Sequence, residues 1–176
     1  MRYYTDKDKE QAAQDEIAAY RTAASLYAPI KRGLEKMDGK IINVRLKRAL
    51  QDEVNAVLGI NTAEDGRQWP KISISCERRP ERLTIYAYHK GQTITLADCQ
   101  IGAEEKRLNA APLIESARQH REERLRRAAD MEATIEKVES IRLQIEQIGK
   151  LLAGVQKQGD SEILDIYGLR YRLQRY

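Results

Sequence analysis

The chain gathers its chemistry as positive charge, in two places. Between residues 31 and 48 stand Lys31, Arg32, Lys36, Lys40, Arg45, Lys47 and Arg48, opposed by Glu35 and Asp38. Between residues 118 and 127 stand Arg118, Arg121, Arg124, Arg126 and Arg127 with His120, opposed by Glu122 and Glu123. Guanidinium forks match the geometry of phosphate oxygens, so either group suits a nucleic acid or a nucleoprotein. Glutamates three and four residues away also permit ordinary ion pairs along a helix, in which case the same charges only solvate its surface. A third feature is Tyr86 and Tyr88, two residues apart in a strand-like run, with Arg78-Arg79 just before it. Tyrosines on an open sheet face can stack single-stranded bases, though such a face is more often plain solvated surface or covered by the tail.

Catalytic groups are sparse. His89 and His120 are the two histidines, and neither has a carboxylate or cysteine at a spacing that makes a known acid–base or metal pair. Phosphate-binding loops, His-Glu-x-x-His and Cys-x-x-Cys are missing from the sequence. The expectation is a protein without catalytic residues, metal or cofactor.

Composition agrees with a binding role of modest charge. Lys and Arg number 31 against 27 Asp and Glu, a net charge of +4, well short of a DNA-packing protein. The residues Met1–Lys7 hold no apolar run of signal-peptide type, and no window approaches the roughly 18 apolar residues of a membrane helix. Cys76 and Cys99, on strands separated by a third and with opposite parity, should lie about 10 Å apart on opposite faces. Unbridged thiols fit a reducing compartment, so the protein is expected in the cytoplasm.

The elements that must position these charges centre on residues 71–99. Lys71–Glu77, Arg82–His89 and Thr93–Ala97 alternate apolar and polar residues with period two, the pattern of strands with one buried face. A two-residue turn at Lys90-Gly91 would pair Ala87 with Ile94 and Ile85 with Leu96. A four-residue loop at Arg78–Glu81 would pair Cys76 with Leu83 and Ile74 with Ile85. Both assignments put Ile72, Ile74, Leu83, Ile85, Ala87, Ile94 and Leu96 on one face, which needs a covering layer of helices.

Helical patterns fill the rest. Thr5 can cap a helix whose stripe Ala13, Ile17, Tyr20, Ala24, Tyr27 ends near Pro29. A short helix to Met37, a stop at Asp38-Gly39, and a helix from Ile42 to Leu58 follow, with Asn43, Arg45 and Lys47 placed as in a helix-turn-helix. Asn61–Trp69 is expected as a polar loop with Trp69 folded onto the core edge. Asn109 and Pro112 open a helix of some 45 residues, about 67 Å long. Its back half carries the seam Met131, Ile135, Val138, Ile141, Ile145, Ile148, Leu152, Val155, with one irregular step from Val138 to Ile141. The seam must bury against residues 5–27 or against a second copy, so the chain is a monomer or a coiled-coil dimer. In the tail, Ser161–Tyr167 is expected as a short helix, and Leu169–Leu173 as an edge strand on the sheet. The fold class is α+β: N-terminal helices and antiparallel meander over 1–108, long helix 109–155, tail 156–176, in one domain overall.

Two segments carry a resemblance. Met37-Asp38-Gly39-Lys40-Ile41-Ile42-Asn43-Val44-Arg45 and Lys106-Arg107-Leu108-Asn109-Ala110, in this order of elements, resemble small accessory proteins encoded by phages and mobile elements of Gram-positive bacteria. That resemblance implies an inhibitor of host defence of the anti-CRISPR type, which binds an RNA-guided CRISPR nuclease together with its guide RNA. The expected function is therefore a non-enzymatic protein that binds a nucleoprotein complex through Lys31, Arg32, Lys40, Arg45, Lys47, Arg48, Arg118, Arg121, Arg124, Arg126, Arg127, Tyr86 and Tyr88. The alternatives are a regulatory protein binding DNA or RNA directly through residues 31–48, and a coiled-coil structural or assembly protein.

Overall fold

The computed structural model describes residues 6–153, 156–158, 161–166 and 169–173, with side chains over 8–150. Its contacts divide the chain into two compact units, Met1–Asp130 and Met131–Tyr176, so the boundary falls inside the long helix. The class is α+β, as expected. Thr5 and Val155 lie outside the described residues.

In the first unit, α1 (Asp6–Ser25) stops where Pro29 has no amide proton for the Ser25 carbonyl. The chain turns at Leu26, and α2 (Tyr27–Met37) begins again with Pro29 in its first turn, where a missing amide is tolerated. Gly33 then lets α2 meet α3 (Val44–Leu58) backbone to side chain. A Cβ at Gly33 would lie 2.7 Å from Leu50 Cδ2 and 3.3 Å from Leu50 Cα. Asn43 caps α3, its Oδ1 accepting from the Arg45 amide at 2.8 Å.

After α3 the expected polar loop is instead a small hairpin, β1 (Ile60–Thr62) with β2 (Gln68–Pro70). Trp69 is 48% exposed rather than folded onto the core. In the register it sits opposite Asn61 on a two-stranded ribbon, too small to bury an indole on either face.

The meander follows as β3 (Ser73–Arg79), β4 (Arg82–His89) and β5 (Gln92–Gln100), in that spatial order and antiparallel throughout. Lys90-Gly91 forms the expected two-residue turn, with φ of 49° and 77° at its two residues. The other turn is also of two residues, Pro80-Glu81, so Cys76 pairs with Ile85 and Ile74 with Ala87. That differs by two residues from the four-residue loop expected, and a shift of two leaves every side chain on its own face. A bulge between Ile85 and Tyr86 pairs Ile85 with Ala97 and leaves Leu96 as the extra residue, both of them buried. Past the bulge the parity of β5 inverts. Cys99, opposite Leu83, therefore packs against the same core as Cys76 instead of facing away, and both thiols remain unbridged.

The core lies between this sheet face and the helices, with Leu26, Ile30, Leu34, Leu46, Leu50, Val54, Ile74, Leu83, Ile85 and Leu113 as its largest buried side chains. Both sheet edges are closed by helices. On β3, Gln51 Nε2 donates to the Ile72 carbonyl at 2.9 Å, and its Oε1 accepts from the Ile74 amide at 2.7 Å. On β5, Ser116 Oγ accepts from the Asp98 amide at 3.1 Å, and the Arg124 guanidinium donates to the Thr95 carbonyl. Ser116 and Arg124 belong to α4 (Ala110–Ala153), which runs antiparallel to β5 at these contacts.

The start of α4 is fixed by two acceptors. Asp38 Oδ1, just past α2, takes the Ala110 amide at 2.8 Å, and Asn109 Oδ1 takes the Ala111 amide at 3.3 Å. The chain running from α1 into α2 lies antiparallel to the front of α4: Arg127 hydrogen-bonds Tyr20 of α1, and Arg121 lies over the ring of Tyr27, the first residue of α2, at 5.6 Å. In the second unit the seam residues Val138, Ile141, Ile145 and Ile148 stay between 46% and 64% exposed. The tail is a separate three-stranded antiparallel sheet, β6 (Gln156–Gln158), β7 (Ser161–Ile166) and β8 (Leu169–Leu173). Ser161–Ile166 is thus a strand rather than a helix. Leu169–Leu173 pairs with β7 and not with the meander, whose outer strand edges are already occupied by Gln51, Ser116 and Arg124.

Candidate functional site

The five helix arginines are each engaged inside the chain. Arg118 holds Glu115 through two nitrogens, at 2.6 and 2.9 Å, and Glu122 through a third at 2.6 Å. Arg126 and Arg127 share Glu123 at 2.7 and 2.8 Å. Arg121 is stacked on Tyr27, and Arg124 is half-buried on the β5 edge. Burial and the neighbouring Arg127 charge both pull the Arg124 pKa below its usual value. Glutamates at i±3 and i±4 thus do here what such spacing permits on any helix.

The group at 31–48 splits in two. Lys31 pairs with Glu35 at 3.7 Å, while Arg32 and Lys36 converge on Glu53 of α3. Those two cations hold the Glu53 carboxyl below its ordinary pKa despite some burial. Lys40, Arg45, Lys47 and Arg48 are exposed and have no carboxylate partner among the described residues. Asn43 is used as the α3 cap, so it is already committed inside the fold.

The structure adds residues that sequence spacing did not single out. Gly39–Ile42 pairs antiparallel with Lys106–Leu108. The Gly39 amide donates to the Leu108 carbonyl, the Leu108 amide to the Lys40 carbonyl, and the Ile42 amide to the Lys106 carbonyl, at 2.8 to 2.9 Å. The two segments that carry the sequence resemblance, more than sixty residues apart, therefore meet side by side. The pairing brings exposed Lys106 and Arg107 to the same junction as Lys40; the bridge sets Arg107 opposite Ile41, and Arg107 also donates to the Gly39 carbonyl at 3.4 Å. Along the same junction Ile41 is 60% and Val44 80% exposed. Exposed apolar side chains near cations that have no carboxylate partner among the described residues, on a backbone held by paired hydrogen bonds and helix caps, make this junction the candidate docking surface. Its one legible signal was negative: Ile41 and Val44 fall off the buried stripe of α3, which runs through Leu46, Leu50 and Val54.

The sheet face opposite the core carries Ser73, Ser75, Thr84, Tyr86, Tyr88, Thr93 and Thr95. Tyr86 is half-buried, its hydroxyl donating to Glu77 at 3.2 Å, and Tyr88 is exposed. Glu77 also binds Arg79 at 3.0 Å, so part of this face is a closed polar network.

Two other places gather polar side chains. A cleft of about 630 Å³ opens between α1, the β4–β5 turn and α4; Asp15 and Glu16 on one wall oppose Lys90 and Arg124 on the other, with His89 at the rim. No nucleophile and base are paired there. At β5, His120 Nε2 and Ser116 Oγ both contact Asp98 Oδ1, at 3.1 and 3.3 Å. A hydrolytic relay needs the imidazole between hydroxyl and carboxylate; here both groups bind one oxygen, and the cluster ties α4 to the sheet. Among the described residues no group of three or more His, Cys, Asp or Glu could hold a metal ion, and no helix is long and apolar enough to cross a membrane. Comparison with protein-family models, with curated proteins and with solved structures finds no match to this chain.

Proposed function

We propose that this chain is a non-enzymatic binding protein whose α2–α3 junction docks on an anionic macromolecular partner. On the sequence resemblance, that partner is a host defence nucleoprotein, an RNA-guided CRISPR nuclease carrying its guide RNA, inhibited in the bacterial cytoplasm. One observation carries the docking surface: at this junction Ile41 and Val44 are exposed, and Lys40, Arg45, Arg48 and Lys106 have no carboxylate partner among the described residues. Unneutralised cations steer an acidic partner, and an apolar centre gives the contact its desolvated anchor. Arg118, Arg121, Arg124, Arg126 and Arg127 are already engaged within the fold, so the cations available to a partner lie at the junction.

A direct nucleic-acid regulator remains the second function, favoured by the exposed Arg45 and Arg48 on one side of a helix that follows a tight connection from α2. Salt separates the two. Binding to bare DNA or RNA by cations alone falls steeply with salt concentration, whereas a protein–protein anchor at Ile41 and Val44 retains affinity. The test is capture of a guide-loaded nuclease, of the same nuclease without guide, and of the free guide, each at low and high salt. Capture of the free nucleic acid alone would make the chain a nucleic-acid binder, and capture of none would remove the proposed partner.

A further inference from the structure

The second unit holds an apolar stripe with no cover among the described residues. Val138 is 60%, Ile141 46%, Ile145 64% and Ile148 55% exposed. Starting from Thr134 in place of Ile135, the stripe advances by four, three, four, three and four residues to Leu152, and the irregular step at Val138–Ile141 disappears. Met131, three residues before Thr134, continues the same frame. A 3.5-residue period drifts by only about 20° per heptad, so over this length it keeps one narrow stripe, the spacing by which two helices pack knobs into holes. A membrane surface is a poor alternative, because Glu132, Glu136, Glu139 and Glu146 outnumber Lys137, Arg142 and Lys150 around the stripe.

We infer that Thr134–Ile148 is a dimerisation segment, in which this seam packs antiparallel against the same seam of a second copy of the chain. Charge decides the orientation. In a parallel pair, Lys137 at a flanking position would face Arg142 of the second copy, and by symmetry the clash would occur twice. In an antiparallel pair centred between Glu139 and Ser140, Val138 faces Ile141 of the second copy, Thr134 faces Ile145, and Met131 faces Ile148. Lys137 then faces Gln144 and Arg142 faces Ile135, so the repulsion is gone. One twofold axis relates the two copies, and each seam is its own complement. The seam covers little more than two heptads, so the dimer is reversible, with a dissociation constant in the micromolar range. This inference is independent of the docking proposed for the α2–α3 junction.

The test is sedimentation of the full chain from low to several hundred micromolar. The expected result is a mass that rises from one chain to two, and a tenfold or greater weakening in the double variant Ile141→Glu, Ile145→Glu. The circular-dichroism melt of that variant should keep the wild-type transition of the first unit, which shows that loss of mass is not loss of fold. A wild-type chain that stays monomeric throughout, or a dimer indifferent to the double variant, overturns the inference. Orientation is read from disulfide trapping, with wild type as the control for Cys76 and Cys99. A mixture of Val138→Cys and Ile141→Cys chains should cross-link, while self-linking of Ile141→Cys alone would mark a parallel pair and overturn the antiparallel assignment.

Discussion

Gln51 stands in for a missing strand beside Ile74: its Oε1 accepts the Ile74 amide at 2.7 Å while its Nε2 donates to the carbonyl two residues earlier, at 2.9 Å. A primary amide thus reproduces both partners that a fourth strand would have offered to β3. Ser116 and Arg124 do the same for β5 with two separate side chains. A three-stranded sheet has two open edges, and open edges invite pairing with other chains. Here the helices that cover the sheet face also terminate its hydrogen-bonding.

Gln51→Ala should therefore destabilise the first unit by about 1–3 kcal/mol, because the Ile74 amide is left without a partner at a position only 1% exposed. Urea denaturation measures it. A loss under about 0.5 kcal/mol would mean that water replaces the amide.

Ile85→Ala removes a fully buried side chain from the middle of the sheet and should lower stability by roughly 2–5 kcal/mol. Tyr86→Ala, on the opposite face, loses the Glu77 hydrogen bond and a half-buried ring, and should lose clearly less. Equal losses in paired urea melts would show that the polar face is as tightly covered as the core.

The legible part of this fold is what period two and period 3.6 encode. Alternation at Ile74, Leu83, Ile85 and Ala87 identified the buried face even though the first turn is two residues shorter than expected, since parity survives a shift of two. The bulge at Leu96 was not legible, because consecutive apolar Leu96 and Ala97 fit a regular strand end equally well. Missing it put Cys99 on the wrong face. Edge closure by Gln51 and Arg124 has no local sequence signature; it depends on where helices pass. The candidate site was half legible: the excess of cations at 40–48 stands in the sequence, but Lys106 and Arg107 join them only through the pairing of Gly39–Ile42 with Lys106–Leu108.

Acid should weaken the fold partly through Glu53. Lys36 and Arg32 lower its pKa in the folded protein, so the native state binds fewer protons than the unfolded chain. The sign follows: this stabilisation is present above the unfolded value near about 4.3 and is lost as pH falls through the lower folded value. Glu53→Gln should be less stable than wild type at neutral pH, and the gap should narrow toward pH of about 3. Urea midpoints across that range measure it, and a constant gap would remove Glu53 from the acid response.

Thiol chemistry should report the packing of the two cysteines. Burial pushes the Cys76 thiol up to about 12 and raises Cys99 as well, for which Asp98 and Glu105 add repulsion to the thiolate. The thiolate is the reactive form, so at mildly alkaline pH the folded protein should react slowly with a disulfide reagent, and Cys76 more slowly than Cys99. Unfolding in denaturant should expose two thiols at once. A mass two hydrogens lower under non-reducing conditions would contradict the free state of both.

The last prediction sets the two arginine groups against each other. Replacing Arg121, Arg124 and Arg127 by Gln removes the stack on Tyr27, the cap on the Thr95 carbonyl and the bonds to Glu123 and Tyr20. Arg124 alone, half-buried with its acceptor, should lower stability by about 1–3 kcal/mol, so the triple variant melts earlier whatever it does to binding. Replacing Lys40, Arg45 and Arg48 by Gln removes charges that pair with no carboxylate among the described residues, and the melting curve should hardly move. If the α2–α3 junction holds the partner, this second variant loses affinity several-fold or more and shows a shallower salt dependence. Ile41→Ser or Val44→Ser, each exposed and outside the core, should weaken the same complex without changing that salt slope. A partner bound equally well by wild type and by all these junction variants would move the interface elsewhere on the chain.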